Sequence, residues 1–313
     1  MQLSKKYFFF EILHNIHKYR EKGKVKMTAR SDLIIENKWL EQGMAQSDGV
    51  GGKVREIEGV AVKEDWNKEK TIKVTSVQIR TEDAAKEMER PVGNYITLEI
   101  PNLREEGERI RKDAEDCLEK QVRLLLKGKE AEHVLVIGLG NREVTADAIG
   151  PFTTENIFVT RHIVEEYKEV KEGYRVVSAL VPGVMAQTGM ETMEIIRAVV
   201  SEVQPDVVLV VDALAARSAK RLGTTIQLTD TGICPGAGIG NNRRELNRAS
   251  IGKTVIAIGV PTVLDAVGIA SEEVVEDVKD LFVMPRSIDS SVRYISEILA
   301  EGINLANRRD SSE

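Results

Sequence analysis

The sequence predicts an α/β protein: a largely parallel or mixed sheet with flanking helices, preceded by a β-hairpin region. Three observations carry this. "HVLVIGLGN", "YRVVSALVPG", "PDVVLVVDA", "TTIQLTD" and "KTVIAIGVP" are short Val/Ile-rich runs, apolar at consecutive positions in the manner of strands buried on both faces. Helical patterns such as "METMEIIRAVVSEV" separate several of them, the alternation that builds parallel sheets. Upstream, "IEGVAVKED" and "TIKVTSVQI" read as two strands of a hairpin and "NYITLEI" as a third.

Taken in order, the chain opens with "MQLSKKYFFFEILHNIHKYREKGKVKMTARSD". Its apolar core is short, is broken by Glu11 and lacks a small-residue cleavage pattern, so it does not read as a signal peptide. No apolar run reaches membrane-spanning length. The expectation is a cytoplasmic protein without a membrane partner. His14 and His17 fall on one face of a short solvated helix. After the hairpin, "NLREEGERIRKDAEDCLEKQVRLLLKG" has helical periodicity and ends on Gly128. The α/β region follows, and "SIDSSVRYISEILAEGINLANRR" closes the chain as an amphipathic helix. There is no internal repeat and no low-complexity linker.

The 313 residues are 42% hydrophobic and 30% charged, with a formal net charge of −6. That balance is ordinary for a globular domain and unlike a nucleic-acid binder. The one basic cluster, Arg243, Arg244 and Arg248 in "NNRRELNR", reads as solvated surface. Two cysteines suit a reducing compartment without a disulfide framework. Cys117 sits in a helical pattern. Cys234, in the loop "DTGICPGAG", is a candidate nucleophile. No Cys or His spacing is of the metal-binding type, and neither metal nor other cofactor is expected.

The informative feature is where the acids fall. Val207–Val211 is an unbroken apolar run that stops on Asp212. Asp147 follows "HVLVIG", Asp230 closes "TTIQLTD", and Asp265 follows "IAIGVPTVLD". In open α/β sheets functional groups gather beyond the carboxyl ends of the strands. Four strand ends therefore deliver acids to what should be one edge. Each could instead cap a following helix, since Asp is a favoured N-cap. Several acids together point towards a carboxylate site.

Three motif matches are weak. "GLGNRE" begins like a dinucleotide fingerprint but has Glu143 at the third glycine. "GAGIGNNRR", from Gly236 to Arg244, could cradle a phosphate but lacks the Lys-Ser or Lys-Thr of a P-loop. "LTDTG" matches the Asp-Thr-Gly of pepsin-like proteases, which need two such loops, and there is one here.

Together, "VIGLGNREVTADAIGP", "TRHI", "SALVPGVMAQTGMET", "PDVVLVVDALAARS" and "IAIGVPTVLDAV" resemble the germination protease family of endospore-forming Gram-positive bacteria, from about Arg30 to the last helix. The resemblance implies an unusual aspartic-type endopeptidase. Such enzymes degrade small acid-soluble spore proteins during germination, remove their own propeptide and assemble as homotetramers, here in the forespore or spore core. It implies a fold akin to the hydrogenase maturation endopeptidases, and it maps the family's proposed acid pair onto Asp147 and Asp212, with Asp230 a possible secondary acid. Some members carry a long insert before the last helix, where "ASEEVVEDVKDLFVMPRSID" here connects almost directly.

By the same resemblance, residues 1–32 are a propeptide and 33–313 a single α/β protease domain. Cleavage is expected between Asp32 and Leu33 in "RSDLIIEN", on an extended, exposed segment able to enter a cleft. Met27 is an alternative start. Two rival readings belong to other classes: a metal-dependent endopeptidase using Asp147 with His162 or Glu143, and a non-enzymatic nucleotide binder using Gly236–Gly240.

Overall fold

The structure is a computed structural model and describes residues 31–37, 40, 55–105, 107–127, 131–167, 173–236, 244–269, 275–278 and 280–308. The N-terminal stretch with His14, His17 and Met27, the helix stop at Gly128, and most of the Gly236–Arg244 loop lie outside the described residues.

Among the described residues ten strands form one sheet, ordered β1-β2-β3-β4-β8-β9-β7-β5-β6, with β10 on β9. The antiparallel part is β1 (Arg55–Ile57), β2 (Val60–Trp66), β3 (Lys73–Ile79) and β4 (Gly93–Glu99). Helix α1 (Glu82–Met88) packs Ala84, Ala85 and Met88 on its Val60, Val62, Val77 and Ile79 face. Next come helix α2 (Glu108–Leu126), β5 (His133–Gly138), α3 (Ile149–Glu155), α4 (Arg161–Tyr167), β6 (Val176–Leu180), α5 (Thr192–Val203), β7 (Val207–Ala216), β8 (Thr225–Thr229), β9 (Thr254–Asp265), β10 (Phe282–Val283) and α6 (Ile288–Ala306). Strands β6-β5-β7-β9 are mutually parallel, and the other pairings are antiparallel.

The apolar run in β7 explains the architecture. Val207, Leu209 and Val211 face one side, packed with α2, α3 and α6 through Leu118, Phe152, Ile298, Leu299 and Ile303. Val208 and Val210 face the other side, against Met193, Ile196 and Val200 of α5. All five residues of that run are fully buried, so neither face of the strand tolerates a polar residue until Asp212.

The connections create a crevice. From β5 the chain leaves through α3 on the α2/α6 face and passes by α4 to β6 on one side of β5. From β6 it returns through α5 on the opposite face to β7 on the other side of β5. Neighbouring β5 and β7 therefore send their chains in opposite directions, the topological switch point at which α/β proteins bind ligands.

The structure differs from the sequence reading in four places. "IEGVAVKED" is not one strand: it contains the turn between β1 and β2, with Gly59 at φ +76°. Strand β7 does not stop at Asp212 but runs on to Ala216. β8 runs antiparallel to β9, because only residues 217–224 separate it from β7, too few for a crossover helix. The segment around Leu33 is neither exposed nor extended beyond Leu33. Leu33 and Ile34 are buried, and Ile34–Glu36 forms a 3-10 turn, because their apolar side chains find pockets on the sheet.

Leu209→Ala should destabilise the fold by about 2–5 kcal/mol, the range for truncating a buried leucine. Denaturant titration measures this, and a shift near zero would show that β7 is not the centre of the core.

Candidate active site

Asp147 and Asp212 both lie at the switch point. The last rung between β5 and β7 is the Leu139 N–H donating to Val211 O at 2.9 Å. Beyond it β5 turns away, and Asp212 is the next residue of β7. Asp212 is 5% exposed and on the α5 face, the same side as Val208 and Val210. Its Oδ1 accepts from Ala213 N–H at 2.9 Å.

Asp147 ends a 3-10 turn, Thr145–Asp147, in the loop that follows β5. Its Oδ2 accepts from Asn141 N–H at 2.8 Å. Asn141 Oδ1 in turn accepts from Glu143 N–H and from Gln187 Nε2. Thr262 of β9 donates its hydroxyl to Ala146 O at 2.6 Å, tying the loop to the strand beside β7. The loop fits only because of glycine. Gly140 has φ +111°, and a Cβ there would lie 2.0 Å from Asp147 O.

The other two acids are elsewhere. Because β8 is antiparallel, Asp230 follows Thr229, which pairs with Ala257, on the side of Gly259 away from the crevice. Both its oxygens are used by Asn94, from the backbone N–H at 2.9 Å and Nδ2 at 2.8 Å, so it joins β8 to β4. Asp265 lies several residues beyond Gly259, the partner of Asp212, and accepts from Val267 N–H as a cap. Asp230 and Asp265 are thus engaged elsewhere in the fold, and the capping alternative holds for Asp265.

Cys234 lines a cavity of ≈ 160 Å³ with Asp32, Tyr95, Leu214, Gln227 and Gly259. Burial pushes its thiol pKa up, and the Glu245 and Asp32 carboxylates add to the rise. A nucleophilic cysteine needs the opposite shift. Cys117, buried in α2, is raised to about 11 by burial. Among the described residues no group of three or more His, Cys, Asp or Glu side chains is arranged to hold a metal ion. No helix there is long and apolar enough to cross a membrane.

Asp32 and Leu33 are docked at the far end of β7. Asp32 N–H donates to Ala215 O at 3.0 Å, and Asp32 Oδ2 accepts from Ala215 N–H at 2.8 Å. Leu33 packs with Leu214, Ala216, Leu222 and Leu264. Glu36, 5% exposed, accepts from Arg217 N–H at 2.6 Å and Ser218 N–H at 2.9 Å. Sequence reasoning did not single out Asn141, Gln187, Thr262 or Gln227, neutral side chains inside stretches it read for other residues.

A family model described as germination protease matches residues 35–278. The chain belongs to the germination protease family. A germination protease of Clostridium tetani is 38% identical over 319 residues, covering 90% of this chain and 95% of that protein. One from Caldanaerobacter subterraneus subsp. tengcongensis is 41% identical, covering 88% and 93%. One from Bacillus cereus is 44% identical over 255 residues, covering 80% of this chain and 66% of that protein. Among solved structures, a [NiFe] hydrogenase maturation protease HycI from Thermococcus kodakarensis KOD1 aligns with 18% identity at a TM-score of 0.33, covering 58% of this chain and 98% of that one. As a member of the germination protease family, the chain is a protease.

Gly140→Ala should lower proteolytic activity on the order of 10²-fold by displacing Asp147, the scale of a 1 Å misplacement, with an unchanged circular dichroism spectrum. Cys234→Ser should keep its activity. Equal loss in both variants would show that the Asp147 loop has no special role.

Proposed function

We propose that the protein is an aspartic-type endopeptidase in which Asp147 and Asp212 form the catalytic pair. The observation that carries this reading is that the loop bearing Asp147 and the strand position bearing Asp212 meet at one switch point, while Asp230 and Asp265 are engaged in holding the fold. Two neighbouring carboxylates share a proton more readily than both ionise. One then acts as base towards water and the other protonates the leaving nitrogen. The pair titrates as a unit. Buried Val210 and Val211 beside Asp212 keep the site apolar, which strengthens its electrostatics.

The substrates in this reading are small acid-soluble spore proteins, degraded at germination in the spore core, and the working assembly is a homotetramer. The relatives' name, germination protease, supports the physiological setting. The chain is made as a zymogen that removes residues 1–32 by cutting Asp32–Leu33. The docked segment supports this: Asp32 lines the cavity on the Asp212 face of the sheet and occupies ground that an incoming substrate would need. Acidification favours processing in this reading, because a carboxylate pair needs one proton to supply base and acid together.

Asp147→Asn and Asp212→Asn should each abolish cleavage of a small acid-soluble spore protein with the fold intact, and the double variant should be no worse than either single one. Fragment mass analysis reads the outcome. Substantial turnover by either single variant would refute the pair. N-terminal sequencing of the matured chain should give Leu33, and neither variant should mature alone in solution.

A further inference from the structure

The carboxamide of Gln227 spans Leu33. Its Nε2 donates to Asp32 O at 3.1 Å, and its Oε1 accepts from Ile34 N–H at 2.6 Å. The chemistry fixes this orientation: only the amide nitrogen can donate to a carbonyl, and only the amide oxygen can accept from an N–H. Gln227 is 8% exposed, so a buried side chain spends both ends on one peptide segment. That segment includes the carbonyl of the Asp32–Leu33 bond.

The surroundings fit a cradle for that bond. Ala215 holds both the backbone and the carboxylate of Asp32. It can do so because pairing of β5 with β7 stops at Gly138–Val211, and alternate residues of a strand aim their N–H and C=O groups at the same edge. Leu33 has its own apolar pocket. Gln227 pairs with Gly259, and Gly259 pairs with Asp212. The three form one row across the sheet. Ile226, Leu228, Ile258 and Val211 point to the opposite face, so Gln227 and Asp212 share a side, two strand spacings or about 10 Å apart along the backbone.

We propose that Gln227 is a catalytic residue of self-cleavage, donating a hydrogen bond from Nε2 to the carbonyl oxygen of the bond that is cut. This rests on the reading that Asp32–Leu33 is that bond. Water adds to the Asp32 carbonyl carbon, and the carbonyl oxygen takes up negative charge as the tetrahedral intermediate forms. The C–N bond to Leu33 then breaks and a proton passes to the Leu33 nitrogen. A donor aimed at that oxygen stabilises the charge where it develops. The Oε1 bond to Ile34 N–H keeps the amide from turning away.

The test follows self-processing of the full chain, with N-terminal sequencing and intact mass, for the wild type, Gln227→Met and Gln227→Glu. Gln227→Met should slow the appearance of the Leu33 terminus by about 10²–10³-fold, the cost of losing one such donor. Gln227→Glu keeps length and acceptor. It lacks a donor when ionised and gains an O–H donor when protonated, so its rate relative to wild type should rise as pH falls. It also keeps the proposal falsifiable if Gln227→Met fails to fold. The peptide "ARSDLIIEN", residues 29–37, supplied in trans should show a fall in kcat with little change in KM. Processing at the wild-type rate in Gln227→Met, a flat pH ratio for Gln227→Glu, or an effect on KM alone would overturn the proposal and leave Gln227 as an anchor. A wild-type chain that cuts elsewhere or not at all refutes the cleavage assignment beneath it. A wild type that yields Leu33 beside an unaffected Gln227→Glu refutes only the role of Gln227.

Discussion

The site depends on how closely the chain can pass over the ends of β5 and β7. A Cβ on Gly150 would lie 2.2 Å from Leu139 O and 2.6 Å from Val211 O, and one on Gly138 would lie 2.2 Å from Gly150 O. Side chains at these positions would lift α3 off the strands. With them absent, α3 seats Ile149 and Phe152 in the core, and the loop before it is drawn across the parting of β5 and β7. The position of Asp147 is thus a packing consequence: a helix pressed onto a strand end fixes the preceding turn against Gly140 and Thr262.

A strand end and an irregularity then supply the polar groups. Pairing of β5 with β7 stops at Gly138–Val211, and Ala215, further along the same edge of β7, bonds Asp32 instead. Thr262, the extra residue of β9 at the register shift, bonds Ala146 O. The shift is tolerable because the apolar core has already been built by Val207–Val211.

The α/β class, the principal strands and the last helix were legible because Val/Ile runs and helical periods carry strong local signals. The positions of Asp147 and Asp212 were legible by the same route, since Asp147 follows β5 and Asp212 ends the apolar run inside β7. Asp230 was misplaced because the direction of β8 is not a property of "TTIQLTD"; it follows from the short connection at residues 217–224, whose length does stand in the sequence. The burial of Leu33 and Ile34 was hidden for another reason. A leucine and two isoleucines after an acid suit an extended segment equally well, and only the tertiary pocket of Leu214, Ala216, Leu222 and Leu264 decides. Gln227 left no trace, because a glutamine in a strand has no pattern until its partner, 193 residues away, is known.

The anchoring of the docked segment is lopsided about Leu33. On the C-terminal side, Glu36 is buried and held by two backbone N–H groups and by the Arg217 side chain on its own carbonyl, while Asn37 donates to Met88 O. Leu33 and Ile34 add two buried apolar side chains. On the N-terminal side Asp32 is held by Ala215 and by Gln227 on its carbonyl, and Ser31 accepts from Arg90 at its carbonyl and donates its hydroxyl to Glu36. Removing a buried charge from its partners is expensive, so a cut between Asp32 and Leu33 leaves the Glu36 side fixed and gives freedom to the acid. Such a cut would clear Asp32 from the cavity without unseating the residues that complete the core around Leu214. Activation by such a cut would need no refolding, since the contacts of Leu33, Ile34 and Glu36 would be kept.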